Sequence, residues 1–304
     1  MISEDARKTL EGLVKGEVLF DDPMKNHTSF HIGGPADALV IPRDELDLKN
    51  LLSFCKKQDI PLIVIGNGTK LLVSDEGIDG IVVKMSGCFD SVLISRSVVK
   101  VGAGFSLGSL SRLMVDHRLS GLEFAVGIPG TVGGAVVMNA GAHGSMMSDV
   151  VTNVTLMDFN GDISKCQKID MSFGYRQSKF QNDPCIILTV EMRLRKNNAE
   201  MIRKRMHKYI RWRKKRQPQD MPSAGSIFKN PKGISAGQLI DMTGLKGLRI
   251  GNAKISEKQA NFILNLGNAT AQDVISLMKK AQKEALRKFG IMLEPEIKIL
   301  GRFN

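Results

Sequence analysis

Gly121-Leu-Glu-Phe-Ala-Val-Gly127-Ile-Pro-Gly130-Thr131-Val-Gly133-Gly134-Ala135-Val-Val-Met-Asn-Ala-Gly141 is the stretch on which the fold of this chain turns. Four glycines and a proline fall within residues 127–134, flanked by apolar side chains. Such a composition describes a backbone brought close to something and yet partly buried, since glycine lets main chains approach with no Cβ between them. Exposed N–H groups in that loop, running into a helix expected to start near Val132, make a nest for a pyrophosphate. A purely structural glycine-rich crossing is the competing reading of the same residues.

Two further glycine turns follow expected strands: Gly66-Asn67-Gly68-Thr69-Lys70-Leu71 and Gly102-Ala-Gly104-Phe-Ser-Leu107. Each begins as G-x-G but has leucine where a dinucleotide fingerprint needs its third glycine for close helix–strand packing. Neither points to a Rossmann unit, and taken singly each also reads as an ordinary tight turn.

Outward from these turns the chain alternates strand and helix signals. Ala38–Ile41, Pro61–Ile65 and Gly80–Lys84 read as strands and Asp44–Gln58 as a helix, with Leu46, Leu51 and Phe54 on its apolar side. Val98–Val101, Val151–Asp158 and Cys185–Leu194 predict a second β-rich unit. A basic helix is expected over 199–216, with Ile202, Met206, Tyr209 and Ile210 as its stripe and Gln217-Pro218 as its stop. Thr270-Ala-Gln-Asp273 opens another helix, whose buried face is Val274, Leu277, Met278, Ala281 and Ala285 and whose end is Gly290. The last strand is expected over Leu293–Leu300, and a short amphipathic helix carries Ile2, Ala6, Leu10 and Leu13 near the N-terminus. The predicted division is 1–86, 87–198 and 199–290, with 291–304 returning to the first part.

At 304 residues the chain exceeds one small core. No apolar run approaches the roughly 18 residues of a membrane span, and the acidic N-terminus is unlike a secretion signal, so a cytoplasmic location is expected. Cys55, Cys88, Cys166 and Cys185 lie far apart, which argues against a disulfide scaffold or a zinc site. His27 and His31 are four apart, but Thr-Ser between them and Gly-Gly after them argue against a metal-binding helix, and no metal is expected. The net charge of +12 suits phosphorylated ligands as well as nucleic acid. Its densest run lies between Glu200 and Asp220, where no acid occurs. A solvated helix face is the preferred account, because no RNA-binding motif accompanies the run.

Gly66–Leu72 and Gly121–Gly144, together with His27–Gly34, Phe173–Ser178, Pro222–Pro231, Gln259–Asn265 and Leu293–Ile297, resemble the UDP-N-acetylenolpyruvoylglucosamine reductase family. That family has the FAD-binding fold of the vanillyl-alcohol oxidase (PCMH) type. The resemblance spans nearly the whole chain and rests on the segments occurring in the same order. It implies an α+β fold: two FAD-binding subdomains and a C-terminal α/β domain for a UDP-sugar. The short span between Gly174-Tyr-Arg and Ala224-Gly-Ser looks like the form lacking an inserted tyrosine-bearing loop. Four positions depart from the usual pattern: Thr69-Lys70 stands where the family usually shows Ser-Asn, His143 replaces a frequent Tyr, and Gln259 stands where it often shows His.

The resemblance implies non-covalent FAD, with Gly66, Asn67, Gly68, Thr69, Gly127, Gly130, Thr131, Gly133, Gly134 and Ala135 along its pyrophosphate. It implies NADPH as reducing co-substrate and UDP-N-acetylglucosamine enolpyruvate as substrate, with no nucleic acid, membrane or obligate protein partner. Arg176 would grip the substrate carboxylate, Ser226 would give a proton to carbon, and Glu296 would share the stabilisation or relay protons. Tyr175, Arg216, Asn230 and Gln259 would line the substrate. From the residues alone, an alcohol or hydroxy-acid oxidase on the same fold and a nucleic-acid binder using the basic helix stay open.

Overall fold

A computed structural model of the protein describes residues 2–303. The chain divides into two compact units. The first comprises Met1–Leu19, Ala38–Asn67 and Gly80–Arg213; the second comprises Phe20–Asp37, Gly68–Asp79 and Lys214–Asn304.

The first unit contains two sheets. One is four-stranded, in the order Glu17–Phe20, Ala36–Ile41, Ile78–Lys84, Leu62–Ile65, the last two running parallel with Leu62 opposite Ile81. The helix Glu45–Lys57 is started by Asp44, whose carboxylate accepts from the Asp47 N–H, and it buries Leu48, Leu51, Leu52, Phe54 and Cys55. Leu46, expected on the apolar side, is exposed instead at 59%. It lies one residue off the stripe that Leu48, Leu51, Leu52 and Cys55 define at helical spacing. Asp47 itself is buried, which is tolerable because its carboxylate accepts from the N–H groups of Lys15, Gly16 and Arg43 at 2.8–2.9 Å.

The other sheet is five-stranded and antiparallel: Ile163–Gln167, Val151–Met157, Ile186–Arg193, Val98–Gly102, Val92–Ser95. Its apolar face shares one core with Leu107, Leu110 and Met114 of the helix Leu107–Asp116 and with Val132 and Val136 of the helix Val132–Val137. Residue 86 thus falls between the two sheets, and residue 198 falls just before the helix Ala199–Arg216.

The second unit packs Phe30, Ile32, Leu72, Ile227, Phe228, Ile255 and Ile263 against one face of the helix Ala271–Phe289. That helix has the capping box expected of Thr270 and Asp273, all five expected residues buried, and Gly290 as a left-handed cap at φ 68°. A small antiparallel sheet, Arg249–Ile250, Ala253–Ile255 and Ile263–Asn265, lies beside it.

The expected C-terminal strand is shorter than predicted. Only Lys298–Leu300 is regular strand, paired in parallel with Leu71–Val73. Pro295 has no N–H to donate, so the segment before it cannot carry a continuous ladder. It remains extended all the same: the Glu296 N–H donates to Ile227 O at 2.7 Å and the Lys229 N–H to Glu294 O at 2.8 Å. No helix among the described residues is long and apolar enough to cross a membrane.

Candidate functional site

In the first unit the glycine-rich loop is anchored at its start by Glu123. This acid is buried, and its carboxylate accepts from Ser120 Oγ and the Gly121 N–H at 2.7 Å and from Arg205 Nη1 at 3.0 Å. Further on, the N-terminal N–H groups of the helix Val132–Val137 are already used. Val132 donates to Phe105 O, Gly133 to Ala103 O, Ala135 to Thr131 O, and Gly134 to Thr131 Oγ1 at 3.3 Å. The helix starts where the sequence put it. The open donors lie in the loop ahead of it, where the N–H groups of Gly127, Gly130 and Thr131 have no protein acceptor among the described residues.

The turn after Leu62–Ile65 meets this loop. A Cβ on Gly66 would lie 2.4 Å from Thr131 Oγ1, and one on Gly133 would lie 2.8 Å from the Ala103 Cβ, so both positions require glycine. The Asn67 N–H also has no protein acceptor among the described residues. Two converging glycine-bearing loops with bare donors fit a diphosphate. Gly68 and Thr69 continue the turn within the second unit, where Gly68 sits at φ 61° with its α-carbon against His27 O.

Arg176 is also in the first unit, in the left-handed region at φ 54°, within a turn closed by hydrogen bonds in both directions between Gly174 and Gln177. Its Nη2 donates to Gly141 O at 2.8 Å, which ties the guanidinium to the far end of the glycine-rich stretch. Tyr175, half exposed, lies alongside with its ring centre 5.3 Å from the guanidinium carbon.

The second unit brings Ser226 and Glu296 onto neighbouring segments. Gly225, at φ 70°, turns the chain into Ser226, which bridges to Phe262, and Phe228 bridges to Pro295. Asn261 locks the same segment, accepting from the Phe228 N–H at 2.9 Å and donating to Phe228 O at 2.8 Å. Glu296 is 9% exposed. Lys70 Nζ lies 2.8 Å from Glu296 Oε1 and donates to Ser226 O at 2.8 Å. Sequence reasoning noted Lys70 only as a departure in the turn, and the structure makes it the link between two residues named for catalysis.

The remaining substrate-lining candidates also fall in the second unit. Asn230 Oδ1 accepts from the Ala236 N–H at 3.0 Å, and Gln259 Oε1 lies where a Cβ on Gly237 would come within 2.2 Å. Both therefore meet the start of the short helix Ala236–Met242. Arg216, at the end of the basic helix, is exposed.

Arg213, three residues earlier and unremarked in sequence, is in the first unit and half-buried, and burial lowers its guanidinium's pKa. Its Cδ would sit 3.0 Å from a Cβ on Gly127. Beside it, His143 stacks on Tyr209 with ring centres 3.9 Å apart and meets Trp212 edge-on. Burial, then the charges of Arg213 and Lys208, push the His143 imidazole below its ordinary pKa. In the sequence His143 stands out only as a departure from a frequent Tyr and Tyr209 only as part of the apolar stripe of the basic helix.

Comparison with known proteins gives two family matches. Residues 36–167 match the FAD binding domain family, and residues 217–300 match the family described as UDP-N-acetylenolpyruvoylglucosamine reductase, C-terminal domain. The first range contains the converging loops at 66–67 and 127–135, so the diphosphate cradle and the FAD domain coincide, and FAD is the cofactor the residues fit. The chain is 47% identical to the UDP-N-acetylenolpyruvoylglucosamine reductase of Caldanaerobacter subterraneus subsp. tengcongensis over 97% of both chains. It is 43% identical to that of Clostridioides difficile over 95% of each. Among solved structures, the crystal structure of UDP-N-acetylenolpyruvylglucosamine reductase from Thermus caldophilus superposes with a TM-score of 0.80. It has 37% identity and covers 94% of this chain and 99% of that one. The α+β architecture, the FAD domain and near-full-length identity to these relatives agree: the chain belongs to the UDP-N-acetylenolpyruvoylglucosamine reductase family.

Proposed function

We propose that the protein reduces UDP-N-acetylglucosamine enolpyruvate to UDP-N-acetylmuramate in the cytoplasm, a step in making peptidoglycan precursor. FAD is held non-covalently and NADPH is the reductant. The observation that carries this reading is the Ser226–Lys70–Glu296 constellation, in the part of the chain that matches the reductase C-terminal domain and the strand paired with it.

The substrate is an enol ether with a carboxylate on the ether carbon. The chemistry that reduced FAD would supply when bound is a hydride for the terminal CH2 carbon of the enol ether. Negative charge then develops on the neighbouring carbon and spreads into the carboxylate, and that charge is what the protein must meet. Arg176 offers a planar, permanently charged fork that pairs with a carboxylate through two parallel hydrogen bonds. Its tie to Gly141 O holds one arm of the fork in place beforehand. Ser226 gives its hydroxyl proton to the neighbouring carbon, and Glu296 serves the proton's resupply. Hydride and proton together saturate the double bond, with no other atom lost or gained.

Tyr175, Asn230, Gln259 and Arg216 are assigned to the substrate, Arg216 as a cation for the UDP phosphates. Gly66, Asn67, Gly68, Thr69, Gly127, Gly130, Thr131, Gly133, Gly134 and Ala135 are assigned to the FAD diphosphate. The residues 217–300 serve the UDP-sugar.

The test is NADPH consumption by the yellow, FAD-loaded protein with and without the enolpyruvyl UDP-sugar. Oxidation that depends on the sugar is the expected result. A loaded protein that consumes NADPH equally in its absence would overturn the assignment.

A further inference from the structure

We infer that Lys70 is a positioning residue for this reduction: its ammonium ties the Glu296 carboxylate to the Ser226 main chain and so sets the attitude of both proton-handling side chains. The inference rests on the proposed roles of Ser226 and Glu296 and adds a third residue to them.

Strand register makes the contact. Lys298 pairs with Leu71 in the parallel ladder, and the Lys298 N–H donates to Lys70 O at 2.8 Å. Residue 70 therefore enters the ladder just where residue 296 leaves the extended segment, and their side chains meet. An ammonium has three N–H donors and no acceptor. Two of these are spent on Glu296 Oε1 and Ser226 O, both at 2.8 Å, and each such bond is charge-assisted. The Glu296 side chain is 7% exposed and that of Lys70 29%, so water competes weakly for either.

Gly225 shapes the turn beside it: its φ of 70° is one that other residues rarely adopt, while a Cβ there would make only an ordinary contact with Nζ at 3.6 Å. A lysine in a glycine turn would ordinarily be read as a phosphate contact. Here the ammonium instead binds one acid and one carbonyl of the reductase half. A hydroxyl and a carboxyl that must exchange a proton need their spacing fixed to a fraction of an ångström, and a charged clamp from the Glu296 carboxylate to the Ser226 main chain contributes to that.

The experiment separates the two half-reactions by stopped-flow in Lys70→Met, which keeps side-chain length and removes the charge. Flavin reduction by NADPH should change by less than about threefold, and calorimetric affinity for UDP-N-acetylmuramate likewise, while reoxidation by the enolpyruvyl sugar falls on the order of 10²-fold. Methylamine should restore part of the reoxidation rate in Lys70→Ala, which a purely packing role would not allow. Lys70→Arg keeps a cation but enlarges its head, and should retain FAD with reoxidation slowed about tenfold. This variant reads the same rate if Lys70→Met proves unstable.

Unchanged reoxidation in Lys70→Met, or in Lys70→Arg where that variant must stand in, overturns the inference. So does a tenfold loss of sugar affinity at an unchanged limiting rate, which would make Lys70 a substrate-binding cation. Equal losses in both half-reactions would assign it to the cofactor turn. Ser226→Ala run in parallel distinguishes the levels. Lost reoxidation there beside normal Lys70→Met rejects Lys70 alone, whereas normal reoxidation in Ser226→Ala rejects the underlying roles and this inference with them.

Discussion

A serine hydroxyl is a weak acid near neutrality, so Ser226 can protonate carbon only where its donor is aimed at charge as it forms. Replacing Ser226 by Ala should leave NADPH-driven bleaching of the flavin intact and slow reoxidation by the sugar by about 10²–10³-fold. Equal loss in both half-reactions would refute its role as proton donor. Arg176→Lys keeps the charge but loses the fork, and it should raise the sugar KM and lower kcat together, read from steady-state rates. Arg176, Ser226 and Glu296 stand out as candidates in the sequence because each lies in a short ordered motif resembling a known family. Lys70 was legible only as an oddity. Its partner is decided by the pairing of 71–73 with 298–300, and nothing within a few residues of position 70 encodes that. Arg213 was overlooked for a related reason: its burial depends on Gly127, which lies in a different part of the first unit. In a run of like charges, sequence marks none as special.

Helix boundaries were read well because their chemistry is local. Thr270 and Asp273 cap each other's backbone N–H groups, Ser3 and Asp44 begin their helices, and Gln217-Pro218 ends the basic one. Thr270→Ala should cost about 1 kcal/mol, measured as a shift in the urea midpoint. The glycine loops make a sharper case. Gly133→Ala places a methyl 2.8 Å from the Ala103 Cβ, beside the diphosphate cradle. It should weaken FAD binding by at least tenfold by fluorescence titration, more than it lowers the melting temperature of the flavin-free protein. What the sequence left open was which N–H groups along 127–135 are vacant. Ala103 O, Phe105 O and Thr131 occupy those of residues 132–135, and only the folded neighbours reveal this. The C-terminal strand was overextended because alternating apolar residues around Pro295 look like a ladder, though proline interrupts the donors.

For the molecule as a whole, charge and buried thiols set how stability responds to solvent. Burial pushes the Cys55 and Cys88 thiols from about 9 up to about 12 and that of Cys185 to about 11. All three lie in the first unit. Their protons are released first from the unfolded chain, so the unfolded state binds fewer protons above about pH 9 and stability falls as pH rises from there through about 11–12. Urea midpoints at pH 8 and pH 10 should show the fall, and Cys55→Ala should lessen it. The parallel pairing of Leu71–Val73 with Lys298–Leu300 has another effect. During translation the earlier strand leaves the ribosome long before its mate exists, so the second unit gains this edge only once Lys298–Leu300 has been made. The glutamate assigned to proton resupply arrives in that same closing segment. A nascent polypeptide halted before it would carry both glycine loops but neither residue 296 nor the strand that pairs with Leu71–Val73.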